Sequence, residues 1–205
     1  MRAIIPEVTP DLLAWRKKCG AHHWDEMWEG ELHMPPMPSR ARQELAHQLA
    51  VWLEIHWARP RGNRVFPTVN VARPGGWPTD YRIPDLVLLT PDRFQIDREE
   101  YFEGAPSVVV EIHSPGDEAY EKLDFYAKLG VPEVWILDRD TKRPELYVLG
   151  GTEYTRAEAE PDGWLSSGAT GIRLRVQSGP ALAIQMGENA ATRALISSEV
   201  RGRSV

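Results

Sequence analysis

A chain of 205 residues with 42% hydrophobic content is long enough to bury one sizeable core, and its uninterrupted apolar runs, such as those at residues 86–89 and 108–110, fall far short of the roughly 20 residues of a membrane span. A formal net charge of −6 argues against a protein that coats nucleic acid by bulk electrostatics, but not against an enzyme whose cleft gathers carboxylates around a metal. Cys19 is the only cysteine, and no basic segment followed by an apolar stretch and a cleavage site opens the chain, so a cytoplasmic setting is expected.

Thr9, Pro10 and Asp11 read as an N-cap, a first-turn proline and a favourable first-turn acid, predicting a short accessory helix that stops near Gly20. Residues 24–28 and 31–34 flank the turn signal Glu29-Gly30 and read as a pair of strands. After the loop at 35–38, Ser39 caps a longer helix in which Leu45, Leu49, Trp52 and His56 form a buried stripe and Glu44 lies at its edge. Pro60 ends that helix. Residues 65–71 alternate as one strand, 73–78 form a loop, and 84–89 and 107–113 are nearly continuous apolar runs of the kind found in central strands covered on both faces. Asp117 is placed to cap a helix running to Gly130. A buried strand at 134–138, a turn at 140–143 and a strand at 145–149 follow. The signals then weaken into short strands, notably 172–176. We expect one domain over residues 1–188, with its core at about 24–150, and a frayed or helical tail over 189–205.

The positions that demand a chemical explanation are acids inside apolar strands, because an unpaired buried carboxylate is costly. Asp85 opens one such run and Glu111 sits within the next. Alternation places Glu111 and His113 on one face of their strand, and Asp85 joins them if the two strands are neighbours. Hard oxygen donors of this kind suit magnesium or manganese better than zinc. Arginines 40, 42, 59, 61 and 64 offer either a local phosphate-binding rim or simply a solvated surface, the second being the more ordinary outcome. Paired acids alone would also serve a glycosidase, a reading that leaves Lys122 without a role.

The ordered string Pro84-Asp85, then Val110-Glu111-Ile112-His113-Ser114-Pro115-Gly116-Asp117, then Lys122, then Gly130-Val131-Pro132-Glu133-Val134-Trp135, resembles the Uma-type family of restriction endonuclease-like proteins. Trp28-Glu29-Gly30-Glu31-Leu32 and Pro36-Met37-Pro38-Ser39 resemble that family's opening strand pair and the loop before its first core helix. The resemblance covers roughly residues 24 to 150. It implies an α/β fold of the PD-(D/E)XK nuclease type, a central mixed β-sheet flanked by helices, here with an N-terminal helix and strand pair added. It also implies a magnesium- or manganese-dependent endonuclease that hydrolyses DNA, with a homodimer as the arrangement that would cut both strands. Asp85 and Glu111 would ligate the metal with the Ile112 carbonyl, Lys122 would act beside the attacking water, and Glu44 is a candidate further acid. Two positions depart from the pattern: His113 stands where the wider superfamily has its lysine, and Arg42 stands where many family members have a histidine. The rival on the same fold is a catalytically silent nucleic-acid-binding or assembly protein.

Overall fold

The computed structural model describes residues 3–197, except residues 7 and 21. In chain order the elements are β1 (Ala3–Ile5), α1 (Pro10–Lys18), β2 (Glu26–Trp28), β3 (Glu31–Met34), α2 (Arg40–Leu53), β4 (Arg64–Pro67), β5 (Asn70–Ala72), β6 (Tyr81–Arg82), β7 (Leu86–Leu89), β8 (Tyr101–Glu103) and β9 (Val108–His113). After them come α3 (Leu123–Leu129), β10 (Glu133–Asp138), β11 (Pro144–Gly150), β12 (Glu153–Arg156), β13 (Leu165–Ser166), β14 (Ile172–Gln177), β15 (Ala181–Met186) and β16 (Asn189–Ile196). They form a mixed α/β structure with three sheets, and no described helix is long and apolar enough to cross a membrane.

The central sheet runs β12-β11-β10-β9-β7-β4. Its middle pair, β9 and β10, is parallel, while β7 and β11 pair antiparallel to either side. This is the mixed sheet that the family resemblance implied, with the two buried runs among its central strands. Alternation divides its faces: Val108, Val110 and Ile112 of β9 join Leu45, Leu49 and Leu53 of α2 in one core, whereas Val109 joins Phe125 and Tyr126 of α3 in another. At the rate for apolar burial, each fully buried Leu or Val contributes roughly 1.5–3 kcal/mol.

Ser39 caps α2 as expected, its hydroxyl accepting from the Arg42 N–H at 3.3 Å. The helix is tied to the last strand by Trp52, whose indole N–H donates to the Thr192 carbonyl at 2.8 Å, and to the residue just after that strand by Gln48, which donates to the Ser197 carbonyl at 3.0 Å.

Three expectations are corrected. Residues 65–71 are two strands in different sheets, β4 in the central one and β5 in the N-terminal one (β1-β3-β2-β6-β5-β8); Thr68 makes the break with φ at +47°, a backbone conformation that ends a ladder. Residues 189–196 of the expected tail form β16, the last member of a four-stranded antiparallel sheet, β13-β14-β15-β16. Residues 198–205 of that tail lie outside the described residues. The helix foreseen from Asp117 begins only at Leu123. Asp117 is committed elsewhere, accepting from the Ser114 N–H at 2.6 Å and the Ala119 N–H at 3.2 Å, while neighbouring Glu118 reaches His33 at 2.9 Å. The segment is thus drawn toward several elements before it can coil. Gly116 supplies the left-handed step (φ +81°) in the turn, and Gly130 closes α3 in the same conformation (φ +85°).

Candidate active site

The ladder between β7 and β9 ends at the pair Leu86 and Val110. One step further, Asp85 stands across from Glu111, and since Val87 and Val109 face away from α2, the two acids share the α3 side of the sheet. The Asp85 carboxylate continues the ladder by accepting the Ile112 N–H at 2.7 Å, a charge-assisted bond that fixes its orientation. Ile112 therefore adjoins the acid pair through its backbone.

Glu111 is fully buried. Its Oε1 accepts from the Tyr126 hydroxyl at 2.7 Å and lies 3.2 Å from the Lys122 Nζ. Lys122 caps α3 from the preceding position, and Tyr126 follows four residues later, which puts both side chains over β9. The ammonium also donates to Glu26 Oε1 at 2.7 Å. Glu26, on β2, is held in turn by the Ile83 N–H at 2.8 Å and the Trp28 indole N–H at 2.7 Å.

A second cation enters from the other side. Arg42, in the first turn of α2, reaches round the strand ends: its Nε donates to Asp85 Oδ1 at 2.9 Å and its Nη2 to Asp85 Oδ2 at 2.7 Å. The same Nη2 lies 3.9 Å from Glu111 Oε2, and Nη1 donates to Asp117 Oδ2 at 3.3 Å. One guanidinium thus spans three carboxylates.

Burial pushes Glu111 up to about 7, with Asp85 and Glu26 adding to the rise and Lys122 and Arg42 opposing it. Burial also works against the charge on Lys122, but Glu111 and Glu26 outweigh it and hold the ammonium above its ordinary range. Arg42 behaves likewise, desolvation being overcome by Asp85, Glu111 and Asp117. Both bases are therefore fixed cations.

The expected site residues thus separate into those the fold gathers and those it does not. Asp85, Glu111 and Lys122 line one cleft together with Glu26, Arg42 and Asp117. Its cavity of about 60 Å³ holds a few waters, not a nucleotide. His113 lies outside that lining; its Nδ1 pairs with Asp117 Oδ1 at 2.9 Å, linking it to the cleft at one remove. Glu44 is also outside it, its carboxylate taken by Arg40 at 2.9 Å and Gln48 at 3.4 Å. The arginines of the supposed rim are similarly occupied: Arg59 pairs with Glu54, Arg61 donates to the His56 carbonyl and Arg64 lies over the Phe94 ring.

Sequence reasoning missed Glu26 and Tyr126, and it did not place Arg42 or Asp117 in the cleft, reading one as a possible rim arginine and the other as a helix cap. The signal for Tyr126 was its four-residue spacing from Lys122; for Glu26 it was an acid between Trp24 and Met27 in a segment already read as a strand.

As a donor set, Asp85 and Glu111 are of the right kind for a hard divalent ion. In place of such an ion, the positive charge between them is Arg42, and among the described residues no group of three or more His, Cys, Asp or Glu is arranged to hold a metal. The acids fit a metal only with Arg42 turned out.

No curated protein matches the chain. Among solved structures it is similar to the crystal structure of a putative nuclease belonging to DUF820 from Anabaena variabilis ATCC 29413, at 19% identity and a TM-score of 0.56, over 70% of this chain and 80% of that one. At that identity the likeness speaks for the fold. A family model described as "Putative restriction endonuclease" matches residues 12–183, a span that contains Glu26, Arg42, Asp85, Glu111 and Lys122. With well over half of its length in that match and its acids meeting at the end of β7 and β9, this chain belongs to the Uma2 family of putative restriction endonucleases.

Proposed function

We propose that the chain is a metal-dependent phosphodiesterase acting on DNA, built on a restriction endonuclease-like core, with Asp85, Glu111 and the Ile112 carbonyl as the metal-binding set and Lys122 as its catalytic base-side cation. The observation that carries this reading is the placement of the Lys122 ammonium 3.2 Å from a fully buried Glu111, directly across from Asp85. Magnesium or manganese, when bound, supplies Lewis acidity and a more acidic water. Lys122 would orient an attacking water and stabilise charge developing on the scissile phosphate. Glu26 keeps the ammonium in position, so that Lys122 takes the part that a strand lysine plays at the His113 position in the wider superfamily. His113 acts through Asp117 as a positioning residue, and Glu44 remains a more distant candidate for a further metal contact. A homodimer would bring two such clefts to one duplex.

Arg42 between the carboxylates favours a second reading, a catalytically silent nucleic-acid-binding protein of the same fold. Cleavage of single- and double-stranded oligonucleotides in magnesium, manganese or chelator separates the two. The nuclease predicts metal-dependent cutting that falls at least about a hundredfold in Glu111→Ala and in Lys122→Ala. Equal, chelator-resistant traces in all three proteins would leave only the silent reading.

A further inference from the structure

The geometry points to Arg42 as a built-in counter-cation that competes with the metal, so that loading of the carboxylate pair is an exchange of guanidinium for ion. The inference rests on the metal-dependent reading above and adds to it how the site is controlled.

Three observations carry it. Arg42 takes both oxygens of Asp85, leaving Oδ2 shared between its Nη2 and the Ile112 N–H. Its Nη2 also lies within 3.9 Å of Glu111, so one guanidinium is held against both acids that would ligate the ion. And the anchor is three-sided, because Asp117, from the turn before α3, holds Nη1. A guanidinium does not deprotonate at any working pH, so this charge cannot be removed by titration. It can only move. A divalent ion ligated by oxygens at about 2.0–2.6 Å and an arginine nitrogen at 2.7 Å from Asp85 cannot share that place. Arg42 also shares with Lys122 the task of offsetting the repulsion between two carboxylates that the pairing of β7 with β9 brings together.

The test is manganese binding to the full chain, followed through the electron paramagnetic resonance signal of free Mn²⁺, for the native protein, Arg42→Ala and Arg42→Ala with Asp85→Asn. Exchange predicts at least about tenfold tighter binding in Arg42→Ala, equivalent to roughly 1.4 kcal/mol, and its loss in the double variant. It also predicts that Arg42→Ala melts lower than native in chelator and is raised by Mn²⁺ more than the native protein is. Should Arg42→Ala not fold, Arg42→Gln, which keeps an amide donor near Asp85 without the charge, must show the same gain. Equal affinity in native and variant proteins overturns the inference. Tight Mn²⁺ binding by Arg42→Ala with no DNA cleavage by any form keeps the exchange and removes the nuclease reading; native cleavage whose metal dependence Arg42→Ala leaves unchanged does the reverse.

Discussion

Two glutamates lie buried on neighbouring parallel strands, and they serve opposite ends. Glu133 opens β10 on the face that carries the C-terminal sheet; Glu111 sits near the end of β9 on the face that carries α3. Both are hidden from solvent. Glu133 is satisfied by neutral donors: the Trp135 indole N–H at 3.0 Å, the Gly168 N–H at 3.0 Å and the Ser167 hydroxyl. It thereby ties the turn between β13 and β14 to the central sheet. Glu111 has one neutral donor, Tyr126, and otherwise faces Lys122 and Arg42. Burial of an acid does not by itself mark a site; what distinguishes the two is the charge of the partners. Neutral donors fasten an acid into a scaffold, whereas fixed cations leave it in a charged cluster of the kind found at functional sites.

The comparison can be broken most forcefully at Lys122. Lys122→Met should cost about 3–5 kcal/mol, because it leaves Glu26 and Glu111 buried without their shared cation; urea unfolding measures it, and a loss under about 1 kcal/mol would mean that Arg42 alone balances the acids. Next, Glu133→Ala should cost about 2–4 kcal/mol through the orphaned donors of Trp135, Ser167 and Gly168, while leaving Mn²⁺ affinity unchanged. A change in metal binding there would blur the line between the two acids.

Titration sharpens the contrast further. Because the folded protein holds Glu111 near 7 against an ordinary value of 4.5, the folded state binds this proton more tightly than the unfolded chain. The stability it contributes is complete below about 4.5 and is lost as pH rises to about 7. Denaturation midpoints at pH 5 and pH 8 should therefore differ less in Glu111→Gln than in the native protein, and an unaltered difference would place the titration on another group. The smallest effect belongs to Tyr126→Phe, which removes one hydrogen bond to Glu111 and should cost about 1 kcal/mol in the same unfolding assay, with a further upward shift of the Glu111 carboxyl.

How much of this was legible in the sequence depends on whether the relevant physics is local. Asp85 and Glu111 announce themselves as acids in apolar runs, and alternation along β9 correctly sorts Val108, Val110 and Ile112 from Val109 and Glu111. The opening strand pair, α1 and α2 follow from caps and turn signals. Arg42 was visible only as a departure from a pattern and as one of several arginines of a possible rim, since its reach to Asp85 depends on where the first turn of α2 meets the open end of β7, a tertiary fact. β16 was hidden for another reason: Asn189, Ala190, Ala191, Thr192 and Arg193 carry little apolar pattern, and the strand exists because β15 offers it a ladder. Likewise, the one local sign of a break in residues 65–71 is Pro67, which the alternation outweighed; beyond Thr68 the chain changes sheets, β4 pairing with β7 and β5 with β6.

The bonds from Trp52 and Gln48 to the last strand and the residue just after it have a kinetic meaning. With three leucines of α2 wholly buried and its far half fastened to Thr192 and Ser197, the helix cannot slide to carry Arg42 away from the acids without disturbing a second sheet. The opening of the cleft falls instead to rotations about the arginine's own side-chain bonds. Such motion is a local side-chain step, limited by release of the guanidinium from Asp85 and Asp117 rather than by displacement of a helix, so ion entry would leave the backbone at rest.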